Sequence, residues 1–157
     1  MANTAGICNS FKSEILNAVH QFGSPTITSR TSLTTPTVDS FKAALYMASA
    51  TTGASNTVYT ATGEAPTAGG YAAGGIAVTN ASGPTTQTST GTWTPSASLV
   101  YSNTTTSGNC DCCMVYNSTQ GNKAVEVLTF TAQNPVAATL TLTMPAGGAA
   151  TSLIMIN

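Results

Sequence analysis

The residue best suited to acid–base chemistry in this chain is His20, its single histidine. Proton transfer and nucleophilic catalysis both need such a base held by an orienting group. The carboxylates of Asp39, Glu64, Asp111 and Glu126 could orient it only through long-range folding. His20 falls in a helical pattern next to Val19, and it reads as an exposed or hydrogen-bonded helix residue rather than a catalyst. Sulfur is the second candidate. Cys110-Asp111-Cys112-Cys113, with distant Cys8, offers the four thiolates of a tetrahedral zinc site. Zinc knuckles space their ligands in two pairs, whereas three cysteines crowd together here. On a strand, Cys112 and Cys113 also point to opposite faces. The four are expected to be buried thiols acting as small hydrophobes. No export signal is visible, so a reducing compartment is expected and disulfides are not.

Other chemistry-bearing patterns are weaker. The run Gly69-Gly70-Tyr71-Ala72-Ala73-Gly74-Gly75 lacks the Lys and Ser or Thr that complete a phosphate loop. Its glycines are better suited to positive φ and close backbone approach. Asn80, Asn103 and Asn117 each begin an N-x-Ser/Thr triplet. With 11 Asn, 30 Thr and 16 Ser in 157 residues, about three such triplets arise by chance, so they say nothing of glycosylation. Trp93 and the five Tyr are not interleaved with basic residues, which leaves a base-stacking platform unsupported. No catalytic residue, metal or cofactor is expected.

The elements that would position these residues are mostly strands. Asn9 to Phe22 is the one helix candidate: Phe11, Ile15, Ala18 or Val19, and Phe22 form an apolar stripe opposite Lys12, Glu14 and Asn17. Asn9 or Ser10 can cap its start, and Gly23 and Pro25 end it. From Pro25 onward, short β-branched and aromatic runs alternate with Gly, Pro, Asn and Ser clusters, the texture of an antiparallel sandwich or barrel. Phe41 to Met47 reads as a strand with one buried face. Shorter candidates are 75–79, 85–90, 99–103 and 112–117. Lys123 to Thr131 and Ala138 to Met144 are stronger, and Gln133-Asn134-Pro135 between them suggests a hairpin. The last strand, Ser152 to Ile156, is apolar on both faces, as a central strand or one shared with another subunit would be. Residues 1–25 thus form an N-terminal helical arm, and residues 26–157 a β-sandwich domain.

Composition restricts the partners. Four Lys or Arg and five Asp or Glu give a net charge of −1, where an ordinary soluble domain is about 25 % charged. Without a basic cluster there is no counterion-release term for nucleic acid, and no attraction to anionic membranes. The N-terminus lacks the basic start and apolar run of a signal peptide, and no stretch approaches the ~20 apolar residues of a membrane span. Solubility must come from hydroxyls and amides. Such a chain suits an assembly that covers much of its surface.

Three segments carry a family resemblance. Phe41-Lys42-Ala43-Ala44-Leu45-Tyr46, then Thr62-Gly63-Glu64, then Gly70-Tyr71-Ala72-Ala73-Gly74-Gly75 resemble the F-K-x-A-L-Y, T-G-E-V and G-Y-x-x-G-G pattern of small virion proteins of tailed bacteriophages. Ala65 departs from the usual Val, and Gly69 is extra. The likeness covers residues 38–80 well, and the later segments at Trp93, Cys112 and Leu140 more loosely. It implies a capsid cement or decoration protein with a β-sandwich or jelly-roll fold, acting as a homodimer or homotrimer on the major capsid protein. The setting would be the capsid surface of a virion assembled in the bacterial host cytoplasm. Phe41, Leu45, Tyr46, Gly63, Glu64, Gly70, Tyr71, Gly74 and Gly75 would be structural motif positions. The residues expected at interfaces are Phe11, Ile15, Val19 and Phe22 on the helix, and Leu153, Ile154, Met155 and Ile156 on the last strand. A tail or fibre component and a carbohydrate-binding module are the competing readings.

Overall fold

A computed structural model describes residues 3–16, 19–23, 37–79, 83–87, 89–147 and 151–156. In chain order the elements are β1 (Gly6–Ile7), α1 (Asn9–Leu16), β2 (Phe41–Met47), β3 (Ile76–Ala77), β4 (Thr85–Gln87), β5 (Thr90–Trp93), β6 (Leu99–Thr104), β7 (Cys110–Asn117), β8 (Lys123–Gln133), β9 (Ala138–Leu142) and β10 (Ile154–Ile156). All the pairings between them are antiparallel. The fold is mainly β with one short helix, as the sequence texture predicts. The jelly-roll detail is not borne out: the described strands form a five-stranded sheet in the order β1-β8-β7-β2-β3, a three-stranded sheet β10-β5-β4 and a two-stranded sheet β6-β9.

The five-stranded sheet is the centre of the molecule, and both of its faces are covered. Phe41, Ala43 and Leu45 of β2 pair with Asn117, Val115 and Cys113 of β7. Over this face lies β6, whose Tyr101 hydroxyl donates to the Ala43 carbonyl at 3.0 Å and meets Cys113 Sγ at 3.3 Å. The opposite face carries Ala44 and Tyr46 beside Met114 and Cys112. The irregular segment 48–75 folds over it, with the Tyr46 hydroxyl donating to the Thr60 carbonyl at 2.5 Å and the Tyr59 ring stacked on Tyr116 at 4.7 Å. A single buried face on β2 was therefore too few. Ala43 through Tyr46 are all fully buried, and each large side chain among them contributes about 1.5–3 kcal/mol through burial.

Four other expectations change. Helix α1 stops at Leu16, and Val19 to Gly23 are not helical. The Val19 N–H donates to the Glu14 carbonyl at 3.0 Å, a 6→1 bond of the kind that closes helix C-termini. Glu14, expected on the outer face, is buried. The proposed hairpin is absent: β8 pairs with β7 and β1, whereas β9 crosses to the other layer and pairs with β6. Ala137 at the crossing adopts a φ of 49°. Finally, β10 is an edge strand beside β5, neither central nor buried on both sides, with Met155 and Ile156 exposed. Among the described residues, no helix is long and apolar enough to cross a membrane.

Candidate functional site

The two elements expected at interfaces meet. Phe11 and Ile15 from α1, Phe22 from the segment after it, Trp93 from β5, and Ile154 and Ile156 from β10 line one groove with a volume of about 530 Å³. Its floor is an aromatic cluster. Phe22 stacks on Phe41 with centroids 4.6 Å apart, lies 4.7 Å from Trp93, and meets Phe11 edge-on at 5.8 Å. Such pairs add about 0.5–1.5 kcal/mol each beyond their burial. Val19 and Met155 do not line this groove, and Leu153 faces a different cavity.

Behind the groove, polar residues clamp the segment after α1 to the central sheet. His20 Nε2 lies 2.7 Å from Glu14 Oε2, and Lys123 Nζ donates to Glu14 Oε1 at 2.6 Å. Burial pushes the Glu14 carboxyl up, but the hydrogen bonds from Lys123 and His20 overcome this and hold it below 4.5. Asn117 Nδ2 faces His20 Nδ1 at 3.1 Å and donates to Asp39 Oδ2 at 2.7 Å. The Gln21 N–H and Gln120 Nε2 also donate to Asp39, at 2.9 and 3.0 Å. The His20 side chain has no exposed surface. Both of its ring nitrogens are engaged by structural partners, so it has neither the nucleophile nor the access that base catalysis needs. It is hydrogen-bonded, one of the two states expected of it, but it lies after the helix and its side chain is buried.

The motif residues form a second polar centre. Glu64 Oε2 accepts from the Tyr59 hydroxyl at 2.5 Å, and Glu64 Oε1 accepts from the Tyr71 hydroxyl and the Gly74 N–H, both at 2.7 Å. The Tyr71 hydroxyl accepts in turn from the Leu45 N–H at 3.0 Å, and the Tyr116 hydroxyl donates to the Gly74 carbonyl at 2.8 Å. Burial first, and the adjoining Glu64 second, push both the Tyr59 and Tyr71 phenols well above 10. Gly75, with a φ of 72°, presses so closely on the Ala43 carbonyl that a Cβ would collide with it. The three motif segments are thus one knot: Glu64 bridges to Tyr71 and Gly74, and Tyr71 and Gly75 lock onto β2. Gly63 and Gly70 adjoin it as turn residues. Every hydrogen-bonding group here is turned inward, which fits a fold determinant rather than a reactive centre.

The cysteines are equally inward. All four are buried and unpaired with one another, and burial pushes Cys8 and Cys112 up to about 11 and Cys113 to about 12. Thiols so displaced are poor nucleophiles at neutral pH. The described residues include no group of three or more His, Cys, Asp or Glu placed to hold a metal ion.

Sequence reasoning missed two features. One is Glu126, which is 9 % exposed and has Oε2 without a hydrogen-bond partner. The signal was a carboxylate in an apolar alternating row. The other is a second cavity between β8 and β9, which only the failed hairpin pairing creates. Comparisons with protein-family models, with curated proteins and with solved structures find no match to this chain.

Proposed function

We propose that this chain is a non-enzymatic structural protein of a bacteriophage particle, binding the outside of the shell as a cement protein that braces contacts between major capsid protein subunits. The observation that carries the reading is the groove. It gathers the separate apolar stripes of α1 and β10 into one surface, on a molecule whose surface is otherwise rich in neutral hydroxyls and amides. Among the described charged residues, Lys12 alone is exposed. What is left for recognition is apolar area, backbone edges and neutral hydroxyls and amides. Apolar burial contributes about 25 cal/mol per Å², and several weak contacts from one oligomer gain from high effective concentration. The motif resemblance supports the phage setting, and the knot around Glu64 gives those residues a structural use.

The test is binding to particles that lack the protein. Wild type should bind in hundreds of copies per particle and should stay bound in roughly 0.5 M NaCl, since few charges contribute. Ile156→Asp places a carboxylate at the exposed rim of the groove and should keep the wild-type melting temperature while losing occupancy. Occupancy of a few to tens of copies would move the protein to the tail. Full occupancy by folded Ile156→Asp would remove the groove from the interface.

A further inference from the structure

Glu126 is enclosed by parts of unequal rigidity. Its strand neighbours are Val115 of β7 and Ile7 of β1, and residues directly opposite one another share a face of the sheet. β7 is central, paired with β2 on one side and β8 on the other. β1 is an edge of two residues, Gly6–Ile7, and pairs with β8 only at Glu126 and Val127. Helix α1 follows at once and packs on β8. Residues 3–16 thus make an arm laid beside a buried carboxylate whose Oε2 has no hydrogen-bond partner.

No charge around it compensates. On α1, Glu14 is engaged by Lys123 and His20, and Lys12 is exposed. On β7, Asp111 accepts from Asn3 Nδ2 at 2.5 Å. Cys8 after β1, and Cys110, Cys112 and Cys113 on β7, are thiols that could add only negative charge. β5, β6, β9 and β10 carry no charged residue. Burial is accordingly the cause that raises the Glu126 carboxyl, to about 8. The arm is also lightly tied. Besides the two-residue ladder, the Thr4, Cys8 and Asn9 N–H groups donate to the Thr52, Val125 and Ala54 carbonyls, each at 2.9 Å. Edge elements of this kind are where proteins open locally.

We infer that the arm is a pH-sensitive latch: ionisation of Glu126 is relieved by releasing β1 and α1 from β8 while the sheet stays intact. An ionised carboxylate is costly in an enclosed site without a partner. Moving β7 to admit water would break two long ladders, whereas moving the arm breaks one ladder of two residues. The carboxyl titrates near 4.5 with the arm open and near 8 with it closed, so the preference for the closed arm falls about tenfold per pH unit between those values. Phe11 and Ile15 leave with α1, and release therefore removes one wall of the groove. The latch does not rest on the function proposed for that groove.

Cys8 belongs to the arm and Cys113 to the central sheet, and both are fully buried. Labelling of the full chain with a thiol reagent, mapped by mass spectrometry, therefore reads the two openings separately. Corrected for the ionisation of an exposed thiol, the Cys8 rate should rise about a hundredfold from pH 5.5 to pH 7.5. At each pH it should exceed the Cys113 rate by about tenfold or more, as a local opening requires. In Glu126→Gln the rise at Cys8 should shrink to less than about threefold. Equal rates at Cys8 and Cys113 would mean that the whole fold opens, and would overturn the latch. A corrected Cys8 rate that stays level with pH overturns it as well. Both of those outcomes need wild type alone, so they hold even if Glu126→Gln does not fold. An equally steep rise in folded Glu126→Gln is the third result against it.

Discussion

Above pH 8 the fold should be weaker by about 5 kcal/mol than it is near pH 4, and one side chain should account for the difference. Glu126 sits on β8 opposite Val115 of β7 and Ile7 of β1. It is 9 % exposed, Oε2 has no partner, and burial alone raises its carboxyl from 4.5 to about 8. Below pH 4.5 the group is protonated in both the folded and unfolded chain and costs nothing. As pH rises from 4.5, the unfolded chain ionises while the folded one keeps its proton, and stability falls by about 1.4 kcal/mol per pH unit until the folded group also ionises near 8. The loss is large against the 5–15 kcal/mol that typically stabilises a domain. The other displaced groups act outside this window: Glu14 is held below 4.5, and the thiols and phenols are raised from 9.0 and 10.0. Urea unfolding from pH 4 to pH 9 should therefore show wild type losing stability across the window. Glu126→Gln keeps the volume and abolishes the charge, so its profile should be nearly flat there. Parallel profiles for the two proteins would refute the reasoning, because they would mean that Glu126 finds water or a partner when ionised.

Two further predictions address the core. Glu64→Gln leaves the Tyr59 and Tyr71 hydroxyls and the Gly74 N–H with a weaker, uncharged acceptor and should cost about 2–3 kcal/mol in urea unfolding; Gly75→Ala, which drives a Cβ into the Ala43 carbonyl at positive φ, should cost more and lower the soluble yield. A thiol reagent should label the native protein slowly at pH 7 and label all four cysteines after denaturation, and fast native labelling of three or four would contradict their burial.

The elements that were legible in the sequence are those whose neighbours are fixed by local alternation. Phe41–Met47 has the boundaries expected, because the alternation of Phe41, Ala43, Leu45 and Met47 with Lys42, Ala44 and Tyr46 ends at Ala48 and Ser49, where turn geometry begins. The cores of β7 and β8 were legible for the same reason. Pairing was not, since alternation assigns faces and says nothing about which strand lies alongside. Asn134-Pro135 makes a turn, but the positive φ at Ala137 turns β9 away from β8 and into the other layer. The helix was overextended because Val19 and Phe22 continue an apolar period that they satisfy in another way, Phe22 by stacking on Phe41 and Trp93. The groove was half-legible: the residues of α1 and β10 carried the right character, but their meeting depends on β10 pairing with β5. Glu126 stood out only as a carboxylate in an apolar alternating row; its burial, which raises the carboxyl, depends on β1, β7 and α1 all packing beside β8.

The placement of the charges changes what their scarcity means. Glu14, Lys123, Asp39 and Glu64 engage internal partners, and Glu126 is enclosed. Scarcity on the surface is therefore greater than the composition implies, because most of the few charged groups hold the fold together. A neutral surface has little long-range repulsion to keep copies apart, so association is decided by short-range features. The groove at α1 and β10 is such a feature, and burying its apolar lining depends little on salt, so Ile156→Asp should weaken particle binding far more than a rise in ionic strength does.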